Sequence, residues 1–247
     1  MSVIAITDHI TNPDIEKDIL GDLAGMQVGK DTEVLLVWHE QIDGEFLNKT
    51  PNLKGVQRYG VGFDTLDLKE LQSRGVVVCN NPDYGVDEVS DTAVAMILNI
   101  ARGVTVYDHH ARACFDTWQE NVNNRIKRNS EITVGVIGAG RIGGSVILKC
   151  NALKFKTLFY DKYKESGHEK VLSAERVDSL NELLEHNSHF LKLFIIRRSQ
   201  PPDIVIEPVH GRVVFSDDFS IAFFRDRILH LQSPVTCVNQ QPPQILT

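Results

Sequence analysis

The chain has 247 residues, of which 42% are hydrophobic and 24% are charged. These fractions are typical of globular proteins with one large domain or two ordinary ones, and they exclude disordered, collagen-like and coiled-coil chains. Lys and Arg number 26 against 33 Asp and Glu, which gives a net charge of −7, so no overall positive field exists to attract a nucleic acid.

Short β-branched runs alternate with helical stretches along the first hundred residues, a pattern that predicts parallel α/β units. Strands are predicted at Val3–Ile6, Val34–Trp38, Val56–Tyr59 and Val76–Cys79. Helices are predicted at Asp14–Leu23, Ile42–Asn48, Leu68–Arg74 and Asp87–Ala101. We therefore expect an α/β domain in this part of the chain.

The last two of these helices carry further signals. Asp67 and Glu70 fit a capping box, and Gly75 stands where a left-handed residue ends a helix. In the following helix, apolar residues recur at three- and four-residue intervals and predict one strongly apolar face. They are Val89, Ala93, Met96, Ile97 and Ile100. We expect this face to lie in the core or in a subunit contact.

Residues 132–161 have the pattern strand, glycine turn, helix and strand, and their number matches one βαβ unit. The two strands are predicted at Val134–Ile137 and Thr157–Tyr160, and a further amphipathic helix at Ser179–Glu185. This second region is thus also of the α/β type.

The glycine turn has the spacing Gly138, Gly140 and Gly143, and Asp161 follows at the end of the next strand. The first glycine permits a tight turn, the second leaves room for a pyrophosphate, and the third lets helix and strand pack closely. The helix N-terminus offers amide donors to the phosphates. Asp161 can accept hydrogen bonds from the ribose hydroxyls and would repel a 2′-phosphate, which favours NAD over NADP. The alternative is a glycine turn with an incidental Asp.

A second loop with two glycines follows the strand Val56–Tyr59. Gly60 and Gly62 expose main-chain amides at the carboxyl end of a strand, where open α/β sheets bind ligands. Taken alone, this loop is better explained as a strand-to-helix turn without any ligand.

Four motifs in order resemble the D-isomer-specific 2-hydroxyacid dehydrogenase family. They are Gly60–Asp67, Val78–Tyr84, Asp87–Asp91, and Gly138–Gly143 together with Asp161. Asn81–Gly85 and Leu158–Asp161 are most similar to the C-terminal-binding-protein branch of that family. The resemblance covers the chain to about residue 187 and is lost beyond it.

The resemblance implies a flavodoxin-like substrate domain in residues 1–104 and an NAD-binding Rossmann domain, incomplete in this chain, in residues 105–187. The implied substrate is a small 2-hydroxy or 2-keto acid in the loop Gly60, Val61 and Gly62, with its carboxylate at the amides of Val61 and Gly62. Val61 also lies near the cofactor in that family, and Arg141 and Ile142 match positions that cover the pyrophosphate. A homodimer through helices in residues 87–112 is implied as well, and Trp118 matches a recurrent aromatic.

The chemistry of this family needs an Arg that fixes the keto acid, a His that exchanges a proton with the hydroxyl oxygen, and a Glu beside that His. We identify none of the three, because Glu207-Pro208 and His210 lack the family's surroundings. No catalytic residue is therefore assigned. The predicted function is an NAD-dependent oxidoreductase, and we expect this sequence to be inactive because none of the three catalytic residues is identified.

The tail Ser188–Thr247 holds six of the nine prolines but only one of the 17 glycines, so it does not continue the doubly wound pattern. Asp203–Ile206 and Arg212–Phe215 could pair as a hairpin. We hypothesise that a frameshift or altered splice replaced the authentic continuation after about Asn187, which leaves an atypical or disordered tail.

Two other interpretations stay open. The chain could be an NAD(H)-sensing dimeric interaction protein, similar to a corepressor, without catalysis. A truncated, non-functional product would instead expose an unpaired sheet edge and an apolar face.

The remaining polar groups predict no further site. His109 and His110 on a helix favour a solvated or interface face over a metal site, so no metal is assigned. Cys79, Cys114, Cys150 and Cys237 lack CxxC spacing, which favours reduced thiols and a cytoplasmic location. Because no apolar run approaches the roughly 20 residues that span a bilayer, we expect no membrane partner.

Overall fold

The computed structural model describes residues 3–8, 10–113, 122–123, 126–185, 190–197, 213–215 and 219–225. Most of these residues form two compact units, one up to Asp91 and one from Thr92 to Ile196. The predicted domain limits of 1–104, 105–187 and 188–247 stay predictions.

The first unit is built on a parallel sheet of five strands in the order β2-β1-β3-β4-β5. The strands are β1 (Ile4–Ile6), β2 (Ala24–Gly25), β3 (Val34–Val37), β4 (Gly55–Arg58) and β5 (Val77–Cys79). The helices are α1 (Asp14–Leu20), α2 (Gly44–Lys49) and α3 (Leu68–Ser73). This is the strand order of flavodoxin-like folds, so the predicted fold class is confirmed for this unit.

The core of the first unit forms where helices cover the sheet. Leu35 and Val37 of β3 are fully buried, and Leu47 of α2 and Leu71 of α3 belong to the same apolar cluster. Full burial of such side chains is worth about 1.5–3 kcal/mol each. These contacts hold the helices on the strands whose carboxyl ends carry the Gly60 loop.

One end signal of α3 differs from the prediction. Asp67 caps the helix through the N–H groups of Lys69 and Glu70, at 3.1 and 3.0 Å. The capping box is wrong in its second half, because the Glu70 carboxylate pairs with Arg74 at 2.7 Å. The N–H of Asp67 instead donates to the Ile42 carbonyl at 3.0 Å. Gly75 has φ +72°, which confirms its left-handed conformation.

Two consecutive helices follow β5. They are α4 (Val86–Arg102) and α5 (Val104–Ala113). Ala93 and Ile97 of the predicted apolar face are fully buried, and its other three members are half-buried. No single helix of the described residues is long and apolar enough to cross a membrane, and α4 and α5 meet that requirement only as a pair bent by 58°.

The second unit is built on a sheet of six strands in the order β10-β11-β9-β6-β7-β8. The strands are β6 (Thr133–Ile137), β7 (Lys156–Tyr160), β8 (Glu175–Arg176), β9 (Phe190–Arg197), β10 (Val213–Phe215) and β11 (Phe219–Arg225). The helices after α5 are α6 (Arg141–Ala152), α7 (His168–Leu172) and α8 (Leu180–Glu185). Strands β9, β6, β7 and β8 run parallel, and β10 pairs antiparallel with β11.

Strand β9 is not among the predicted elements, because the loss of glycines after residue 187 predicts that the α/β pattern ends there. It pairs in parallel with β6 over five residues, from Thr133 opposite Phe190 to Ile137 opposite Phe194. Its sequence, FLKLFIIR, is the nearly continuous apolar run of a strand in a parallel sheet. The loss of glycines beyond residue 187 therefore does not mark the end of the sheet.

The second segment of the predicted hairpin pairs with a later strand. Val213–Phe215 is antiparallel to Phe219–Arg225, with Val214 opposite Ile221, and the predicted pairing with Asp203–Ile206 stays a prediction. Asp203–Ile206 lies outside the described residues. The pairing follows from sequence proximity, since three residues separate the two strands.

Helix α6 approaches β6 closely through Gly143. A methyl group on Gly143 would overlap the carbonyl oxygen of Gly138 and lie 3.3 Å from Val136 Cγ1. A methyl group on the adjacent Gly144 would make only ordinary contacts, the nearest at 3.6 Å with Leu172 Cδ2. Two neighbouring helical glycines thus have opposite packing requirements.

We expect Gly143→Ala to lower the free energy of unfolding by about 2 kcal/mol, because overpacking against main chain outweighs the better helix propensity of Ala. Gly144→Ala is the matched control, and we expect it to be neutral or to stabilise by up to about 1 kcal/mol. Urea unfolding followed by circular dichroism measures both. Equal effects of the two substitutions would contradict this packing.

Candidate functional site

The turn after β6 has the conformation that the glycine spacing predicts. Gly138 has φ +87°, and its N–H donates to the Tyr160 carbonyl at 2.8 Å. Gly140 has no atom within 4 Å of the position that a Cβ would occupy. The turn therefore leaves open space beside the main chain at Gly140, while Gly143 closes the contact between helix and strand.

Helix α6 begins at this turn without a side-chain cap. Gly140 occupies the N-cap position, and the first intrahelical bond runs from the Gly144 N–H to the Gly140 carbonyl at 2.8 Å. Within the described residues, no hydrogen bond uses the N–H groups of Arg141, Ile142 and Gly143. These donors and the partial positive charge of a 12-residue helix can receive an anion.

Asp161 lies beside the turn and is bound to it. One carboxylate oxygen accepts from the N–H of Ala139 at 2.7 Å, and the other accepts from the N–H of Tyr163 at 2.8 Å. The side chain is half-buried. Because a carboxylate offers about four acceptor positions on its two oxygens, each oxygen can accept a further hydroxyl donor.

His168 is a residue of this site that the sequence analysis missed. Its Nε2 lies 3.1 Å from the carbonyl oxygen of Ala139, and its ring meets the edge of Phe159 with centroids 6.1 Å apart. Ala139 is therefore held through its N–H by Asp161 and through its carbonyl by His168. No sequence signal marked this residue, because the contact joins positions 29 apart.

The second loop lies in the first unit, at the carboxyl end of β4. Gly60, Val61 and Gly62 are buried, and a methyl group on Gly60 would overlap the guanidinium of Arg58. Arg58 is itself only 5% exposed. A positively charged group therefore lies directly beside the main chain of this loop.

Two asparagines after β5, also missed in the sequence, bind the same loop. Asn80 Nδ2 donates to the Val61 carbonyl at 2.8 Å, and Asn81 Nδ2 donates to the Tyr59 carbonyl at 3.2 Å. Both lie in the stretch that carried the family resemblance, but the pattern alone gave them no role. The structure gives them one, since they bind main-chain carbonyls.

Other groups that could carry chemistry lie away from these two loops in sequence or are buried in structural contacts. The predicted histidines His109 and His110 lie on α5, where Asp108 pairs with Arg112 at 3.0 Å. Burial raises the pKa of the Cys150 thiol to about 12, so it stays protonated. Burial and a 2.7 Å hydrogen bond to Glu16 raise the pKa of Tyr59. No group of three or more metal-ligating side chains occurs in the described part of the chain.

Several predicted positions lie outside the described residues. They are Trp118, Cys114, Cys237, Glu207-Pro208 and His210. The assignment of Val61 to both substrate and cofactor, and of Arg141 and Ile142 to the cofactor, stays a prediction.

Comparison with known proteins places these features in a family. A model of the D-isomer specific 2-hydroxyacid dehydrogenase catalytic domain matches residues 8–224. The match runs past residue 187, where the motifs recognised in the sequence end. It covers well over half of the chain.

Two curated relatives carry different names. A glyoxylate reductase from Korarchaeum cryptofilum (strain OPF8) is 29% identical over 203 residues, which cover 75% of this chain and 60% of the relative. C-terminal-binding protein 1 from Caenorhabditis elegans is 26% identical over 195 residues, or 76% of this chain and 25% of that protein. This chain thus spans about 60% of the length of the reductase.

Solved structures agree with the fold. The D-lactate dehydrogenase from Aquifex aeolicus, complexed with NAD and lactic acid, matches with a TM-score of 0.64 at 26% identity, over 75% of this chain and 58% of that one. The apo D-mandelate dehydrogenase of Rhodotorula graminis, at 22% identity, covers 75% of this chain and 63% of that one with a TM-score of 0.62 and supports the fold alone. On the family match and the motifs together, the chain belongs to the D-isomer-specific 2-hydroxyacid dehydrogenase family.

Proposed function

We propose that the chain binds NAD(H) at the Gly138–Gly143 turn and belongs functionally to the oxidoreductases that act on small 2-hydroxy and 2-keto acids. The observation that carries this proposal is the 2.7 Å hydrogen bond from the Ala139 N–H to Asp161. It brings the carboxylate that would meet the ribose to the turn that would receive the diphosphate. The related D-lactate dehydrogenase was solved with NAD and lactic acid.

The residues present fit a dinucleotide. Open space at Gly140 admits a phosphate close to the main chain, and the N–H groups of Arg141, Ile142 and Gly143 supply donors. Arg141 is exposed at the first position of the helix, where its charge is available to the diphosphate. When bound, NAD(H) supplies or takes up the hydride.

Asp161 would select NAD over NADP. Its carboxylate is fixed by two main-chain N–H groups, so it cannot turn away from the ribose without losing both hydrogen bonds. Two hydroxyls can donate to it, whereas a 2′-phosphate would bring a second negative charge against it.

We place the substrate carboxylate at the Gly60–Gly62 loop. Gly60, Val61 and Gly62 would offer main-chain N–H groups, and the guanidinium of Arg58 beside Gly60 adds positive charge. Which acid binds depends on groups beyond this carboxylate contact.

For catalysis we propose negligible turnover by these 247 residues. The reaction needs an acid–base His and an Arg that polarises the keto group, and the sequence offers neither in a recognisable setting. Binding and orientation of cofactor and carboxylate are what the described residues can supply.

A second candidate function rests on the 26% identity to C-terminal-binding protein 1. In this alternative the chain is an NAD(H)-sensing, dimeric interaction protein without catalysis. Val104 and Val106 of α5 are 57% and 48% exposed, and such apolar side chains are suited to a subunit contact through α4 and α5.

We expect Gly140→Ala to weaken NADH binding by at least about tenfold, because the added methyl group would fill the space that a phosphate needs beside the main chain. Calorimetric titration with NADH measures this. Gly144→Ala, with its methyl group in ordinary contact inside α6, is the control and should bind as the unsubstituted chain does. Unchanged affinity in Gly140→Ala would place the dinucleotide elsewhere.

We expect Asp161→Asn to reduce both NADH affinity and the preference for NADH over NADPH. The substitution keeps the shape of the side chain but replaces one acceptor oxygen by a donor, which loses one N–H bond to the turn or to Tyr163 and removes the charge that repels a 2′-phosphate. Titration with both cofactors measures the ratio. A preference that stays the same in the variant would contradict the role of Asp161.

Both candidate functions predict negligible turnover, and they differ in whether NADH changes the oligomeric state. For glyoxylate, pyruvate and hydroxypyruvate we expect no NADH consumption, against about 10 per second for a typical enzyme. Sedimentation with and without NADH tests the alternative, which predicts a cofactor-dependent dimer. Turnover at ordinary enzyme rates would refute the proposed inactivity.

A further inference from the structure

Two loops meet at the carboxyl ends of the neighbouring parallel strands β4 and β5. The loop after β5 donates three hydrogen bonds to three consecutive carbonyls of the loop after β4. Asn81 binds Tyr59 through Nδ2 and Gly60 through its main-chain N–H, each at 3.2 Å, and Asn80 Nδ2 binds Val61 at 2.8 Å. We call this pair of residues the asparagine clamp.

The clamp determines the direction of the N–H group in each of these three peptides. In a trans peptide the C=O of one residue and the N–H of the next are antiparallel, and no cis peptide occurs in the described chain. With three successive carbonyls directed at the clamp, the N–H groups of Gly60, Val61 and Gly62 are directed away from it. Within the described residues, none of these three N–H groups donates a hydrogen bond.

These N–H groups are also poorly exposed to water. Gly60 and Gly62 consist of main chain only, so the burial of these residues is burial of main-chain atoms. Buried N–H groups in folded proteins nearly always have an acceptor. Three successive N–H donors without an acceptor, one of them on the glycine that the Arg58 guanidinium contacts, favour a negatively charged acceptor.

We infer that Asn80 and Asn81 are positioning residues, which orient the amides of Gly60, Val61 and Gly62 toward a substrate carboxylate. The inference rests on the proposed function, because it takes the carboxylate to bind at this loop. Asparagine suits the role, since its neutral Nδ2 group can donate to a carbonyl. An aspartate there would present an acceptor to that carbonyl and a negative charge near the anion.

The test uses the full chain saturated with NADH and titrated with oxamate, an unreactive 2-keto acid analogue. Asn80→Ala and Asn81→Ala remove the two side-chain donors separately without adding charge. Asn52→Ala is the matched control, because Asn52 Nδ2 donates in the same way to a main-chain carbonyl, that of Lys30 at 2.9 Å, in another loop of the same unit.

We expect each clamp variant to bind oxamate about tenfold more weakly, which corresponds to the free energy of about one hydrogen bond. NADH affinity should be unchanged, and Asn52→Ala should match the unsubstituted chain in both titrations. If a clamp variant instead loses affinity for oxamate and NADH alike, or has a lower unfolding temperature, the effect is a general loss of folding. Either result would overturn the positioning role.

A second readout follows the amides themselves. In ¹⁵N-labelled protein, oxamate should shift the Gly60 and Gly62 amide resonances, and the Asn80→Ala substitution should shift the Gly62 resonance before any ligand is added. If the unsubstituted chain binds NADH and these resonances do not respond to oxamate, the inference fails while the cofactor proposal stands. If NADH does not bind and oxamate still shifts them, the inference stands and the cofactor proposal fails.

Discussion

The second unit depends on one contact, the hydrogen bond from the N–H of Ala139 to the carboxylate of Asp161. It joins the turn after the first strand of the βαβ unit to the end of its second strand. Without it the buried N–H of Ala139 would lack a partner, at a cost of about 1–3 kcal/mol, and the half-buried carboxylate would keep only the N–H of Tyr163. The same bond fixes the turn that opens α6, so packing and anion binding share one geometry.

Both candidate sites lie in main-chain turns that side chains following a neighbouring strand hold in place. Asp161 and His168, after β7, hold the two sides of Ala139 in the turn after β6. Asn80 and Asn81, after β5, hold the loop after β4. Parallel sheets favour this arrangement, because neighbouring carboxyl ends lie at the same edge and their loops meet there.

The glycines and strands were predictable from the sequence because their requirements are local. Gly138 and Gly143 follow from turn geometry and close packing, and the alternation of β-branched runs located β3, β4 and β6 within one or two residues. Two side-chain contacts were not predicted: His168 binds Ala139 across 29 positions, and Glu70 pairs with Arg74 within its own helix instead of capping the helix start. Strand β9 was not predicted because the loss of glycines indicated the end of the α/β pattern, although the apolar run Phe190–Arg197 alone is sufficient to predict a strand.

Strand β9 also explains why the Gly138 turn is suited to a ligand. It pairs with β6 on the side opposite β7. The chain thus adds β7 and β8 on one side of β6 and then returns to add β9 on the other, so the strand order reverses at β6. In doubly wound sheets the connections on either side of such a reversal leave for opposite faces, which opens a crevice at the carboxyl ends of the two central strands. Ile137, opposite Phe194, is the last residue of β6 before the turn. The turn with its uncapped helix therefore lies where the topology itself leaves room for a dinucleotide.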